Sequence, residues 1–330
     1  MDMRTYTNTK VPSLRRLRRR KHLREFIAEQ HISANDLCHP IFIRDDIERP
    51  MEVENMPGLF YFPTAKAIDE IKAVRDLGVK HFVIRPRPRA AIADDPEKSI
   101  AFESEVIEKI TKECPDVTKL IDGYFGMARS SGYYAEVNDA GEVDLESSLD
   151  ELARHAVAQG NAGADLVVSL GRLDGSVATM RNALDEHGLE HVGILAYSIN
   201  FASTLAHAML DGTTMAKNAY EQTIASKIGV PNIKDALRQA EQEVMEGADV
   251  LGVKPASIFM DAIIQLKHRF DLPIATYIVS KEYCMVKAAA GKGWIDERDT
   301  VMEYMLSLKR AGANKIFNYW VKDIMKWIES

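Results

Sequence analysis

The sequence predicts an α/β fold, a TIM (β/α)8 barrel preceded by an extended N-terminal arm, with the arm at residues 1–30 and the barrel at 31–330. Three observations predict it. First, a helical segment ending in Gly-Ala or Gly-Val runs straight into a short β-branched stretch. This occurs at LGVKHFVIR from Leu77, GADLVVSL from Gly163, GADVLGVK from Gly247 and GANKIFNYW from Gly312. Glycine at a helix C-terminus followed by a buried strand is the turn of a parallel sheet. Second, the runs CHPIFI (38–43), TKLID (118–122), VGILAY (192–197) and PIATYI (273–278) bring the strands to about eight, the barrel number. Helical patterns such as 149–162, 234–246 and 296–311 separate most of them. Third, neither GxGxxG nor GxxxxGK[ST] occurs, which points away from a nucleotide-binding open sheet.

Composition narrows the class. With 330 residues, 46% hydrophobic and 28% charged, the chain can bury a large core without disulfide staples and is not disordered. No apolar run reaches the ~18–20 residues of a membrane span. The first ten residues are polar, so no secretory signal is expected. Cys38, Cys114 and Cys284 are far apart and read as reduced thiols, hence a cytoplasmic protein. A net charge of -7 argues against a generally basic nucleic-acid binder. His187 and His191 are four apart but separated by Gly188 at a predicted helix end, a surface pair rather than a metal site.

The basic run RRLRRRKHLR (15–24) is the one strong charge asymmetry. It reads either as a nucleic-acid or membrane patch or as an arm that packs on protein. Leu14, Leu17 and Leu23 need something to bury against, and the rest of the chain is acidic, which favours the arm.

Barrel chemistry sits at the strand C-termini. Those ends carry Arg85 and Arg87, Asp122, Ser169, Tyr197 to Asn200, Lys254, Tyr277 to Ser280, and Asn318 to Trp320. Two long segments, 123–142 and 211–232, read as lid loops on that face. Lys254 closes the apolar strand ADVLGVK and precedes Pro255. Desolvation disfavours an ammonium there, and a neutral amine can attack a ketone to form an imine that serves as an electron sink. The alternative is a structural lysine paired with a carboxylate inside the barrel.

The words around Lys254 decide between these. MEGADVLGVKPASIFMD, DLPIATYIVSKEYCMVKAAAGKGWID and SLKRAGANKIFNYWVKD closely resemble the porphobilinogen synthase (δ-aminolevulinic acid dehydratase) family. ILAYS at 194–198, GADLVV, LRRLRRRKHLREF and MPGLFYFP extend the resemblance over nearly the whole chain, in order. It implies a TIM barrel whose N-terminal arm embraces a neighbouring subunit, commonly in an octamer. It implies an enzyme that condenses two 5-aminolevulinate molecules into a pyrrole. Lys254 takes the place of the imine-forming lysine of the VKPA motif, and Tyr197 is a second catalytic candidate. Ser280 and Tyr319 take the places of the carboxylate partners of the first substrate, and Tyr277 is retained.

The other half of the family pattern departs. Where the family has a second imine-forming lysine, this chain has Asn200, whose amide nitrogen is not a nucleophile. The carboxylate-binding arginine becomes Leu210 and its tyrosine Ala206. Leu170 and Gly171 replace a serine and an aspartate, though Asp174 remains, and Lys227 stands near the lid's glutamine. The metal loop reads Ser131-Gly132-Tyr133-Tyr134, without the thiolates and imidazole of a zinc site. Gln239 stands where the family's outer magnesium glutamate lies, which leaves magnesium open. Arg85, Arg87, Arg129 and Arg172 are gained, and arginine suits carboxylate or phosphate recognition.

The expectation is a divergent member of the family, a lyase or condensing enzyme. It holds 5-aminolevulinate or a related keto acid on Lys254 through Ser280, Tyr319 and Tyr277. A second, anionic substrate is placed by Asn200, Asp122, Arg85 and Arg129. No metal cofactor, no nucleic acid and no membrane are expected, and a homo-oligomer, dimer to octamer, forms through the arm. The alternatives are ordinary porphobilinogen synthesis with one covalent and one non-covalent substrate, and a non-catalytic paralogue acting as a binding or regulatory subunit.

Overall fold

A computed structural model describes residues 15–123, 135–138, 140, 142–171, 173–206 and 226–329. The chain divides into two compact units, Met1–His31 and Ile32–Ser330. In the first, a 3-10 turn at Arg16–Arg18 leads to a helix at Lys21–Phe26. Leu17 and Phe26 are exposed within it, Phe26 at 83%.

The second unit begins with β1 (Leu37–Arg44), β2 (Met51–Glu52) and β3 (Phe60–Phe62). There follow β4 (His81–Arg87), β5 (Thr118–Ile121), β6 (Leu166–Ser169) and β7 (Gly193–Asn200). The last are β8 (Val250–Lys254), β9 (Ile274–Tyr277) and β10 (Lys315–Phe317). Strands β1 and β4 to β10 lie side by side, all parallel, and pairing of β10 with β1 closes the barrel. Each coincides with one of the apolar runs of the sequence.

Strands β2 and β3 are additions that the sequence pattern misses. β10 pairs with β1 only at Leu37 and Cys38, which leaves the far end of that edge uncovered. β3 takes it over in parallel at Phe42 and Ile43, and β2 folds back against β3. Two- and three-residue strands are too short to show alternation.

The repeated helix-to-strand turn has the expected cause. Gly163 and Gly312 sit at φ +104° and +121°, in the left-handed region that an L side chain rarely adopts. The helix predicted at 149–162 starts earlier, at Leu145, because Asp144 caps it by accepting from the Ser147 amide at 3.1 Å. The Asp296 side chain does the same for the helix Glu297–Ala311.

One polar cluster sits in the helical layer. His155, in the helix Leu145–Asn161, is buried with Nδ1 3.0 Å from Glu103 and Nε2 3.5 Å from Glu151. Gln159 donates to the same Glu103 carboxylate at 2.9 Å. Burial opposes the imidazolium, but the two carboxylates outweigh it and hold the His155 pKa up at about 9. The charged form is therefore the stabilised one. Its contribution is complete below the ordinary histidine pKa and is lost as pH rises through about 9. Thermal unfolding scans should show the midpoint falling between pH 7 and pH 10, by an amount equivalent to a few kcal/mol. His155→Gln should flatten that slope, and an unchanged slope would show that His155 is not its source.

Candidate active site

The mouth of the barrel is built from β7 and β8 outward. The Lys254 ammonium lies over the Tyr197 ring, 3.6 Å from its centroid. Gly252, two residues before Lys254, makes this approach possible: a Cβ there would meet the Tyr197 ring at 2.6 Å. The structural alternative for a barrel lysine is seen elsewhere, at Lys119, whose Nζ lies 3.0 Å from Asp165.

Asn200 is the register partner of Lys254 across the β7–β8 ladder, so the two side chains leave the same face. Tyr197 and Asn200 are three residues apart and would face opposite ways on a regular strand. A register shift between Ala196 and Ile199 removes the conflict and turns Asn200 to the same side as Lys254. Asn200 is 1% exposed, and its Nδ2 donates to the Leu170 carbonyl at 3.2 Å.

Arg85, at the end of β4, forms an ion pair with Asp122, Nε to Oδ2 3.5 Å. The guanidinium also stands 5.6 Å from the centroid of the Phe42 ring, a cation–π contact. Tyr277 and Tyr319 share a hydrogen bond between hydroxyls at 3.2 Å. Tyr319 is stacked on Phe42 and met edge-on by Tyr283, whose hydroxyl donates to the Pro57 carbonyl at 2.6 Å. Burial pushes the Tyr197 phenol far up, and the Asp122 carboxylate adds to it. Burial also raises Tyr319, and raises Tyr277 against the opposing pull of Arg85 and of the Tyr319 bond. All three phenols are therefore neutral near pH 7, able to donate or accept a hydrogen bond but not present as phenolate.

The barrel thus brings together Lys254, Tyr197, Asn200, Arg85, Asp122, Tyr277 and Tyr319 at its strand ends. Arg85 differs from expectation in one respect: it is in electrical contact with Tyr277 and Tyr319 as well as with Asp122, not set apart on a second side. Ser280 is buried at the first position of the helix Ser280–Gly291. Glu282 ties that helix to the loop after β8 by accepting from the amides of Val279 at 2.6 Å and Ser257 at 2.8 Å. The Ser169 hydroxyl, at the end of β6, is engaged by Ser176 at 2.8 Å. Arg87 leans on Tyr61 instead, at 3.4 Å from its hydroxyl. Arg129, Arg172, Leu210 and the loop 131–134 lie outside the described residues. Phe42, Tyr283 and Glu282 went unnoticed in the sequence. Glu282 left no capping-box signature there, since the residue three before it is Val279, whose side chain has no acceptor.

Among the described residues, no group of three or more His, Cys, Asp or Glu side chains could hold a metal ion. Asp122 is engaged by Arg85, and Gln239 bridges the Gly171 carbonyl and Glu243. These residues do not fit a zinc site. No described helix is long and apolar enough to cross a membrane.

Comparison with known proteins agrees with the architecture. The profile of the family described as delta-aminolevulinic acid dehydratase matches residues 12–327. The delta-aminolevulinic acid dehydratase of Synechocystis is 35% identical over 320 residues, 96% of this chain and 98% of that protein. That of Staphylococcus epidermidis is 32% identical over 325 residues, with 96% and 98% covered. The Toxoplasma gondii enzyme, solved with its reaction product porphobilinogen, superposes with a TM-score of 0.88 at 29% identity, covering 97% of this chain and 93% of that one. With a profile match along almost its full length and relatives of this identity and coverage, the chain belongs to the delta-aminolevulinic acid dehydratase family.

Proposed function

We propose that this chain is a lyase that makes porphobilinogen from two molecules of 5-aminolevulinate, holding one as an imine on Lys254 and binding the other without a covalent bond. The observation that carries this is the pairing of Lys254, seated on the Tyr197 ring, with Asn200 in register beside it. Whole-chain similarity to enzymes of this name favours ordinary pyrrole synthesis over a divergent reaction.

The chemistry closes with one lysine. The Lys254 amine adds to the first substrate's ketone, and the oxygen leaves as water, giving an imine. The first substrate's own amino group then adds to the second ketone, and a second water leaves. The resulting C=N group tautomerises to an enamine, whose carbon attacks the Lys254-bound carbon. Expulsion of the Lys254 amine and loss of a proton yield the aromatic ring. Two substrates give one pyrrole and two waters.

In this reading Ser280 and Tyr319 bind the first carboxylate, with Tyr277 holding the Tyr319 hydroxyl. Arg85, fixed by Asp122 and also in contact with the Tyr277–Tyr319 pair, and Arg129 are the candidates for the second carboxylate. Tyr197, a neutral phenol, moves a proton at the adduct oxygen. No step passes through a metal. The three free thiols suit a reducing, cytoplasmic setting.

A second reading, a different anionic partner in the second pocket, is favoured by Asn200 standing where the second lysine would. One experiment separates the two. The chain is incubated with 5-aminolevulinate and a strong chelator, with and without borohydride. One adduct per chain on Lys254, with porphobilinogen formed when borohydride is omitted, is the expected result. Two adducts overturn the single-imine reading. One adduct without porphobilinogen favours the different partner, and no adduct leaves the non-catalytic paralogue.

The arm, residues 1–30, is proposed to dock on another copy of the chain, in a dimer or larger assembly up to an octamer. Leu17 and Phe26 are exposed, and burying such side chains is worth roughly 1.5–3 kcal/mol each. Removing the residues before Glu25 should lower the mass seen by light scattering. An unchanged mass counts against the arm.

A further inference from the structure

Asn200 carries a feature that its neighbours do not explain. Its Oδ1 is buried and accepts no hydrogen bond among the described residues. The orientation of the amide is settled by its surroundings: the Leu170 carbonyl can only accept, so the group facing it at 3.2 Å is the NH2. The other end is therefore an oxygen. Leaving a buried acceptor unmatched is unfavourable, and such atoms in a site are matched by ligand.

The side that Asn200 faces limits what its oxygen can recognise. Asn200 and Lys254 are partners on adjacent parallel strands, so their side chains leave neighbouring positions on the same side. An acceptor cannot polarise a ketone, which needs a donor. It can take an N–H. On an α-amino ketone bound to Lys254, the amino group sits one carbon from the imine carbon, within reach of the side chain that faces Lys254 across the ladder.

We infer that Asn200 is a specificity-determining residue whose Oδ1 accepts a hydrogen bond from the amino group next to the imine carbon, so that the Lys254 site selects α-amino ketones over simple ketones. This rests on the single-imine reading above and adds the class of substrate to it. The same bond turns the amine's lone pair away from Asn200 and toward the second substrate. The position that holds a second nucleophile in the family then holds the first substrate's nucleophile in place instead. Asp122 Oδ1 and the Tyr197 hydroxyl are likewise buried without a partner among the described residues, so the surroundings of the amine are rich in acceptors.

The test compares two keto acids of the same chain, 5-aminolevulinate and levulinate, which lacks the amine. Each is titrated into the full-length chain with borohydride, and the concentration for half-maximal adduct at Lys254 is read by intact mass. The wild-type chain should prefer 5-aminolevulinate. Asn200→Leu, close in size but without an acceptor, should reduce the ratio of the two half-maximal concentrations by up to roughly tenfold, the upper worth of one hydrogen bond between neutral groups. Asn200→Asp, which keeps an acceptor, should preserve the preference. A ratio that is the same in the wild-type and Asn200→Leu chains overturns the inference while leaving the imine reading intact. If the wild-type chain traps neither acid on Lys254, the imine reading itself fails. If Asn200→Leu does not fold, Asn200→Asp decides: a lost preference there overturns the inference.

Discussion

Lys254→Ala should abolish borohydride trapping of 5-aminolevulinate and lower pyrrole formation by at least about a thousandfold, since a covalent nucleophile has no substitute within the barrel. The physical reason is local. Lys254 ends a strand whose other residues, Val250 to Val253, are apolar or small, and its ammonium is held on an aromatic face. Asn200 beside it cannot form an imine. Lys119 is ion-paired to Asp165, and the trapped peptide should not include it. Circular dichroism of the variant should match the wild type, because Lys254 is half-buried at a strand end rather than in the core. An adduct that persists in Lys254→Ala would place the chemistry on another amine.

Arg85→Ala should be the most destabilising change at the mouth. It removes the countercharge of Asp122, whose side chain is 2% exposed, and a buried ion pair broken on one side costs about 3–5 kcal/mol. For a chain of this size that is a fall in the melting midpoint of roughly 4–7 °C. Adding Asp122→Asn to Arg85→Ala should recover much of it, because the stranded charge is then gone. A double-mutant cycle by thermal or denaturant unfolding reads the coupling directly. If Arg85 also binds the second carboxylate, half-saturation by that substrate should weaken roughly tenfold in Asp122→Asn/Arg85→Ala relative to Asp122→Asn alone. Equal stabilities of Arg85→Ala and the wild type would mean that Asp122 is matched by another group.

Much of the fold was legible because the barrel repeats. The eight parallel strands are short apolar runs, and the glycines that punctuate four of them are needed at positive φ whatever surrounds them. Strands β2 and β3 were not legible, since they exist only where β10 ends early and leaves part of β1 open. The helix at Leu145–Asn161 was read four residues late because its cap, Asp144, lies in a polar stretch that resembles loop.

The site divides the same way. Lys254, Tyr277 and Tyr319 could be named from the chain, because a lysine or tyrosine at the end of an apolar strand stands out in one dimension. The partnership of Arg85 with Asp122 and the tyrosines could not, since it joins β4, the end of β5, β9 and the segment after β10. Nor could the cluster of His155 with Glu103 and Glu151, which relies on two helices meeting; only the Glu151–His155 spacing of four was visible beforehand.

The sequence by itself determined that this is a parallel eight-stranded barrel, because periodicity and glycine positions are local properties, and its motifs carry the resemblance to the dehydratase family. Only the tertiary structure decided which way each side chain faces. The register shift in β7 turns Asn200 to the side of Lys254, and Gly252 admits the Tyr197 ring beneath the ammonium. Both depend on how one strand lies against the next, and that relation has no trace along a single chain.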